Sequence, residues 1–212
     1  MGFFMKMIDL GRQPFKEVWE YQKELVRQRI ENKISDTLIL VEHDSVITKG
    51  RNTKAGEIFE TSFPIFEIER GGKATYHGPG QLVCYPIMNI YYLGIKKYMR
   101  LLEEIIINII NHYNILSNIK EGKTGVWVKE KKIASIGIAV KKWISYHGFA
   151  LNVSTDLSHF SALSPCGFES DVMTSIEKIT QQKIALSGVK EKIRETWEQQ
   201  KMDRDSRVSA YS

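Results

Sequence analysis

Apolar residues along the chain follow two periods, and the switches between them outline a mixed fold. Over residues 14–32, Phe15, Val18, Trp19, Leu25, Val26 and Ile30 recur at helical spacing among charged positions, with Pro14 suited to a first turn. Over 96–113, Tyr98, Leu101, Leu102, Ile105, Ile109 and Tyr113 share one helical face, and Ile106, Ile107 and Ile110 widen it. A stripe that wide implies burial against a sheet. Segments rich in β-branched and aromatic residues, bounded by Gly, Pro and charge, predict strands over 3–10, 37–41, 64–69, 81–90, 125–129, 133–140 and 143–153. Between Val128 and Ile133 lie only Lys129, Glu130, Lys131 and Lys132, which argues for an antiparallel meander over repeated βαβ units. Helical patterns return over 170–178 and 187–202, and the polar residues 203–212, with nothing to bury, read as a frayed tail. The expected class is α+β, a mainly antiparallel or mixed central sheet flanked by helices, in one domain over 1–202.

Composition narrows the classes. With 212 residues, 42% hydrophobic and 26% charged, the chain has the profile of a folded globular domain. The net charge of +5 favours acidic partners but falls short of a nucleic-acid footprint by itself. Cys84 and Cys166 form no metal-ligand spacing, and with no secretory signal they read as reduced thiols in a cytoplasmic protein. No segment approaches the roughly 20 apolar residues of a membrane span. Neither metal, nucleic acid nor membrane is expected as a partner.

Three segments break the pattern of ordinary packing. Arg70-Gly71-Gly72-Lys73-Ala74-Thr75-Tyr76-His77-Gly78-Pro79-Gly80-Gln81 follows a predicted strand, and its glycines let backbone approach a ligand closely; the same residues also read as a long turn. It is not a phosphate-binding P-loop, because no Gly-Lys-Ser/Thr opens a helix and a strand follows instead. In Lys131-Lys132-Ile133-Ala134-Ser135-Ile136-Gly137-Ile138 a lysine opens an apolar strand; taken alone, that lysine reads as solvated. In Ser164-Pro165-Cys166-Gly167-Phe168 a cysteine sits between Pro and Gly, where a turn presents the thiol, whereas Cys84 in Leu82-Val83-Cys84-Tyr85 reads as core. A nucleophilic Cys166 needs a partner that takes its proton, and His77, His147, His159 and Lys132 are all candidates. On residue types alone a Cys-His hydrolase is a fair reading.

Taken together in order, Arg70 to Gln81, Lys132-Ile133-Ala134-Ser135-Ile136-Gly137, His147-Gly148-Phe149-Ala150-Leu151-Asn152 and Pro165-Cys166-Gly167 resemble the lipoyl(octanoyl) transferases. The resemblance covers about residues 10–178. It implies the biotin/lipoate protein ligase fold and an acyltransferase that moves octanoyl or lipoyl groups from acyl carrier protein to a lysine of lipoyl-domain proteins. The implied acceptors are the E2 subunits of 2-oxoacid dehydrogenases and the glycine cleavage H protein, and no cofactor is needed. By resemblance Cys166 is the acyl-thioester nucleophile and Lys132 tunes it, displacing a histidine from that role. The implied substrate pocket comprises Arg70, Gly71, Gly72, Lys73, Ala74, Thr75, Tyr76, His77, Ser135, Ile136, Gly137, Gly148, Phe149 and Ala150. Ile136, Ile138 and Phe149 are candidates to line an acyl tunnel, or to be ordinary sheet core. The rivals are an ATP-dependent lipoate or biotin ligase of the same fold and a non-catalytic carrier-protein binding module.

Overall fold

The structure, a computed structural model, describes residues 5–163 and 172–209. The chain runs β1 (Lys6–Gln13), α1 (Phe15–Ile30), β2 (Thr37–His43), β3 (Val46–Lys49), β4 (Ile65–Glu67), β5 (Thr75–His77), β6 (Gln81–Ile87) and α2 (Gly94–Asn111). It continues through β7 (Asn118–Lys120), β8 (Lys123–Val128), β9 (Lys131–Lys141), β10 (Ile144–Asn152), a 3-10 turn (Leu157–Ala162), α3 (Ile176–Thr180) and α4 (Leu186–Ser209). The α+β architecture agrees with the reading of the sequence.

A seven-stranded sheet in the order β1-β2-β6-β10-β9-β8-β7 forms the centre. Among the described residues of this sheet, β1 and β2 pair in parallel, because α1 carries the chain back between them, and the other neighbours are antiparallel. Strand alternation sends one set of side chains to each face. Leu38, Leu40, Leu82, Cys84 and Leu151 pack with α2 and α4, whereas Ile39, Val41, Val83, Tyr85 and Ala150 face α1. Cys84 is fully buried, as its apolar context implies, and burial pushes its thiol pKa well up. The wide stripe of α2 is buried through Tyr98, Leu101, Leu102, Ile105, Ile106, Ile109 and Ile110.

A second sheet, β4-β3-β5, sits apart from the first. Its β5 lies inside the glycine-rich segment and pairs antiparallel with β3 through Ile47 and Tyr76. Neither strand is predicted, nor is β7; each is three or four residues long and carries too little periodicity to read. Two-residue turns join β8 to β9 and β9 to β10, the latter placing Lys142 (φ 47°) and Trp143 (φ 64°) in the left-handed region. Trp143, expected in the strand, is therefore the tip of a hairpin. The backbone of α4 continues to Ser209, through the first part of the segment expected to fray.

Candidate active site

A cavity of about 430 Å³ opens between the α1 face of the large sheet and the glycine-rich segment. That volume lies in the range of roughly 300–1,000 Å³ of small-molecule sites. Of the expected pocket residues, Arg70, Gly72, Lys73, Ala74, Thr75, His77, Ser135, Ile136, Gly137, Gly148, Phe149 and Ala150 line it, and so does Lys132. Gly71 and Tyr76 do not line it. The Gly71 N–H is held by the Ile138 carbonyl at 2.9 Å, and the Tyr76 hydroxyl turns away to Ser45 Oγ (3.0 Å) and His159 Nδ1 (2.8 Å). Ile138 is likewise absent from the wall and packs toward the α2 core, while Ile136 and Phe149 do line it. His159 is occupied with Tyr76 and is no part of the lining.

Arg70 organises the loop. Its buried guanidinium donates to the carbonyls of Gly71 (3.0 Å), Lys73 (2.7 Å) and Thr48 (2.8 Å) and to Thr48 Oγ1 (2.9 Å), tying the glycines to β3. These partners are internal, so the arginine shapes the wall. Gly137 lets the loop approach: a Cβ there would lie 2.9 Å from Arg70 Cδ and 3.2 Å from the Gly71 carbonyl oxygen.

Three histidines from three strands gather beneath the loop. His43 Nδ1–H donates to the Gln13 carbonyl (2.9 Å), so its Nε2 accepts from the Tyr85 hydroxyl (2.9 Å); desolvation lowers its pKa to about 4. His77 stacks on Phe15 and is lowered to about 3, by burial first and then by neighbouring His43. His147 has φ 55°, and its N–H is taken by Gln22 Oε1 of α1 at 2.8 Å. Its Nε2–H donates to Glu69 Oε2 at 3.4 Å, which also accepts the Trp19 indole N–H at 3.1 Å. Burial lowers the His147 pKa, and its hydrogen bond holds Glu69 at about 2. All three imidazoles are thus neutral near pH 7.

Lys132 stands near the start of β9, its ammonium 5.6 Å from the centre of the buried Trp127 ring on β8. Gly125, at φ 116°, leaves the space this side chain crosses, since a Cβ would lie 2.6 Å from Lys132 Cε. Cys166 lies outside the described residues, as does the rest of 164–171. The described residues on either side are anchored near the site. Leu163 bridges Ile58, and Val172 and Met173 line the cavity while Met173 bridges Lys132. Phe15, Val83, Tyr85 and Trp127 also line the cavity, and nothing in their local sequence marks them apart from core. Among the described residues no cluster of His, Cys, Asp or Glu has metal-binding geometry, and no helix is long and apolar enough to cross a membrane.

Residues 14–198 match the lipoyl protein ligase A/B catalytic domain. An octanoyltransferase of Syntrophotalea carbinolica is 41% identical over 191 residues, which is 89% of this chain and 90% of that protein. A solved bipartite lipoate protein ligase with its E2 lipoyl domain from Thermoplasma acidophilum superimposes with a TM-score of 0.70 at 18% identity, covering 92% of this chain and 82% of the other. A biotin protein ligase from Aquifex aeolicus in complex with biotin and ATP gives 0.57 at 13% identity, over 94% and 71%. At those identities the structural likeness speaks for the fold.

Proposed function

This chain belongs to the lipoyl protein ligase A/B catalytic family, in its octanoyltransferase branch, and from that premise we propose that it transfers octanoyl groups in two half-reactions through Cys166. The donor is octanoyl-acyl carrier protein and the acceptor a lysine of a lipoyl domain, on E2 subunits or on the H protein, in the cytoplasm where thiols stay reduced. In the first half-reaction Lys132 takes the Cys166 proton, and the thiolate attacks the octanoyl carbonyl. The C–S bond to the carrier breaks, its thiolate recovers a proton from Lys132, and Cys166 holds the acyl group as a thioester. In the second, the acceptor ε-amine attacks that carbonyl and passes a proton to Lys132. Cys166 leaves as a thiolate and is reprotonated, and an amide remains. A thioester carries enough free energy to form an amide, so no nucleotide is required.

The observation that carries this reading is one cavity whose wall combines Lys132, the glycine-rich loop, residues 135–137 and residues 148–150 with Val172 and Met173, just beyond the Cys166 segment. Its apolar stretch, with Val83, Ile136 and Phe149, suits an acyl tail at roughly 0.8 kcal/mol per buried CH₂. With a pKa of about 3, His77 is a weak base, which supports Lys132 as the proton carrier.

Intact-protein mass spectrometry after mixing with octanoyl-acyl carrier protein, without ATP or acceptor, tests the route. Wild type should gain one octanoyl group that chases onto an added apo lipoyl domain. Cys166→Ala should gain none, and Lys132→Ala should load slower by about 10²-fold or more, the order of a proton-transfer contribution. Loading that requires ATP and free octanoate would instead make this a ligase.

A further inference from the structure

Two amide residues, Gln81 and Asn152, close two of the sequence motifs and have no part in the chemistry so far. Both are buried, with 2% and 1% of their surface exposed. Gln81 Nε2 donates to the Tyr76 carbonyl (3.3 Å) and to Asn152 Oδ1 (2.9 Å). Asn152 Nδ2 donates to the Thr174 carbonyl (3.0 Å), and the Thr174 N–H donates to the Lys132 carbonyl (2.9 Å). At the other end Gln81 Oε1 lies 2.7 Å from His77 Nδ1.

The direction of every bond in this chain is determined. Backbone carbonyls only accept, so those of Tyr76 and Thr174 require the NH₂ groups of Gln81 and Asn152 to face them. Asn152 Oδ1 is then left to accept from Gln81, and Gln81 Oε1 to accept from His77. His77 must therefore carry its proton on Nδ1, with Nε2 an acceptor facing Thr48 Oγ1 at 3.5 Å. Reversing either amide would set two acceptors against each other in a buried site.

We propose that Gln81 and Asn152 are positioning residues for octanoyl transfer: their one-way hydrogen-bond chain fixes His77 as the Nδ1–H tautomer and locks residues 172–174, which follow the Cys166 segment, onto the backbone of Lys132. The inference rests on the octanoyl-transfer reading. It joins the glycine-rich wall to the strand that carries Lys132 across the core of the site, without either amide touching substrate.

Asn152→Asp tests it through its pH dependence. The protonated carboxyl of that variant is nearly isosteric with the amide and can donate to the Thr174 carbonyl, whereas the carboxylate cannot and faces that oxygen instead. The expected result is a kcat for transfer close to wild type at low pH, falling about tenfold as pH rises through the titration of the new carboxyl, the size of effect one lost buried hydrogen bond supports. Wild type should lack that descending limb. Asn152→Leu should be low at every pH. Ile109→Val in α2, a buried residue outside both the hydrogen-bond chain and the cavity wall, serves as a control for lost stability and should keep kcat. A wild-type-like pH profile in Asn152→Asp, or an equal loss in the control, would overturn the positioning role. Loading of Cys166 is read separately by mass, so failure of the thioester route shows as an unloaded wild type while the pH profile still tests Asn152.

Discussion

Burial of neutral imidazoles couples the stability of this protein to pH residue by residue. His43 and His77 have folded pKa values of about 4 and about 3, depressed by desolvation from about 6.5 in an unfolded chain. Between those values the unfolded state binds protons that the folded state refuses, so stability is complete above about pH 6.5 and is lost as pH falls toward the folded values. At ~1.4 kcal/mol per pKa unit the loss reaches several kcal/mol, and His147 acts in the same direction. Thermal denaturation should show Tm falling steadily from pH 7 to pH 4.5, and His77→Gln should flatten the slope. A slope unchanged by that substitution would mean His77 titrates normally. These single residues also show where sequence reasoning stops. Lys132 and the glycines stood out because they break the surrounding pattern. Gln22, whose Oε1 receives the His147 N–H, did not, and Gln81 and Asn152 closed two motifs without a legible role, because a buried amide is defined by partners up to 125 positions away.

Elements differ in legibility for the same reason. In α2 the apolar period persists over 18 residues and reports the burying face directly, and β6, buried throughout its seven residues, reads as a nearly continuous apolar run with both faces covered. The short β3 is held by pairing with β4 on one side and β5 on the other, and β5 by its pairing with β3, while β1 runs on to Gln13, past the expected end, in parallel register with β2. The β9–β10 turn carries a local cost that tertiary pairing overrides. Lys142 and Trp143 occupy positions with φ above zero, where Asn and Gly are favoured. Lys142→Asn removes part of that strain, so a gain of about 0.5–1 kcal/mol is expected, a rise of about 1–4 °C in Tm by differential scanning calorimetry. Octanoyl transfer should not change, because this tip lies outside the cavity wall.

At the scale of the whole molecule, the net charge of +5 must act through its distribution if acidic carrier domains are to be steered to the site. Distance decides which lysines count. Lys141 lies nine residues from Lys132 along β9, about 30 Å at ~3.3 Å per residue, several times the Debye length of about 8 Å at physiological salt. Lys129, in the turn just before β9, is three residues from Lys132 and exposed. Second-order rate constants for octanoyl-acyl carrier protein should therefore fall as salt rises from about 50 mM to about 500 mM, with Lys129→Gln lowering both the rate and its salt dependence. Lys141→Gln should leave both near wild type, because a charge that far from the docking point is screened before the encounter. A rate insensitive to salt would remove steering from the account, and a larger effect at Lys141 than at Lys129 would place the carrier at the β9–β10 hairpin, too far for its thioester to enter beside Lys132.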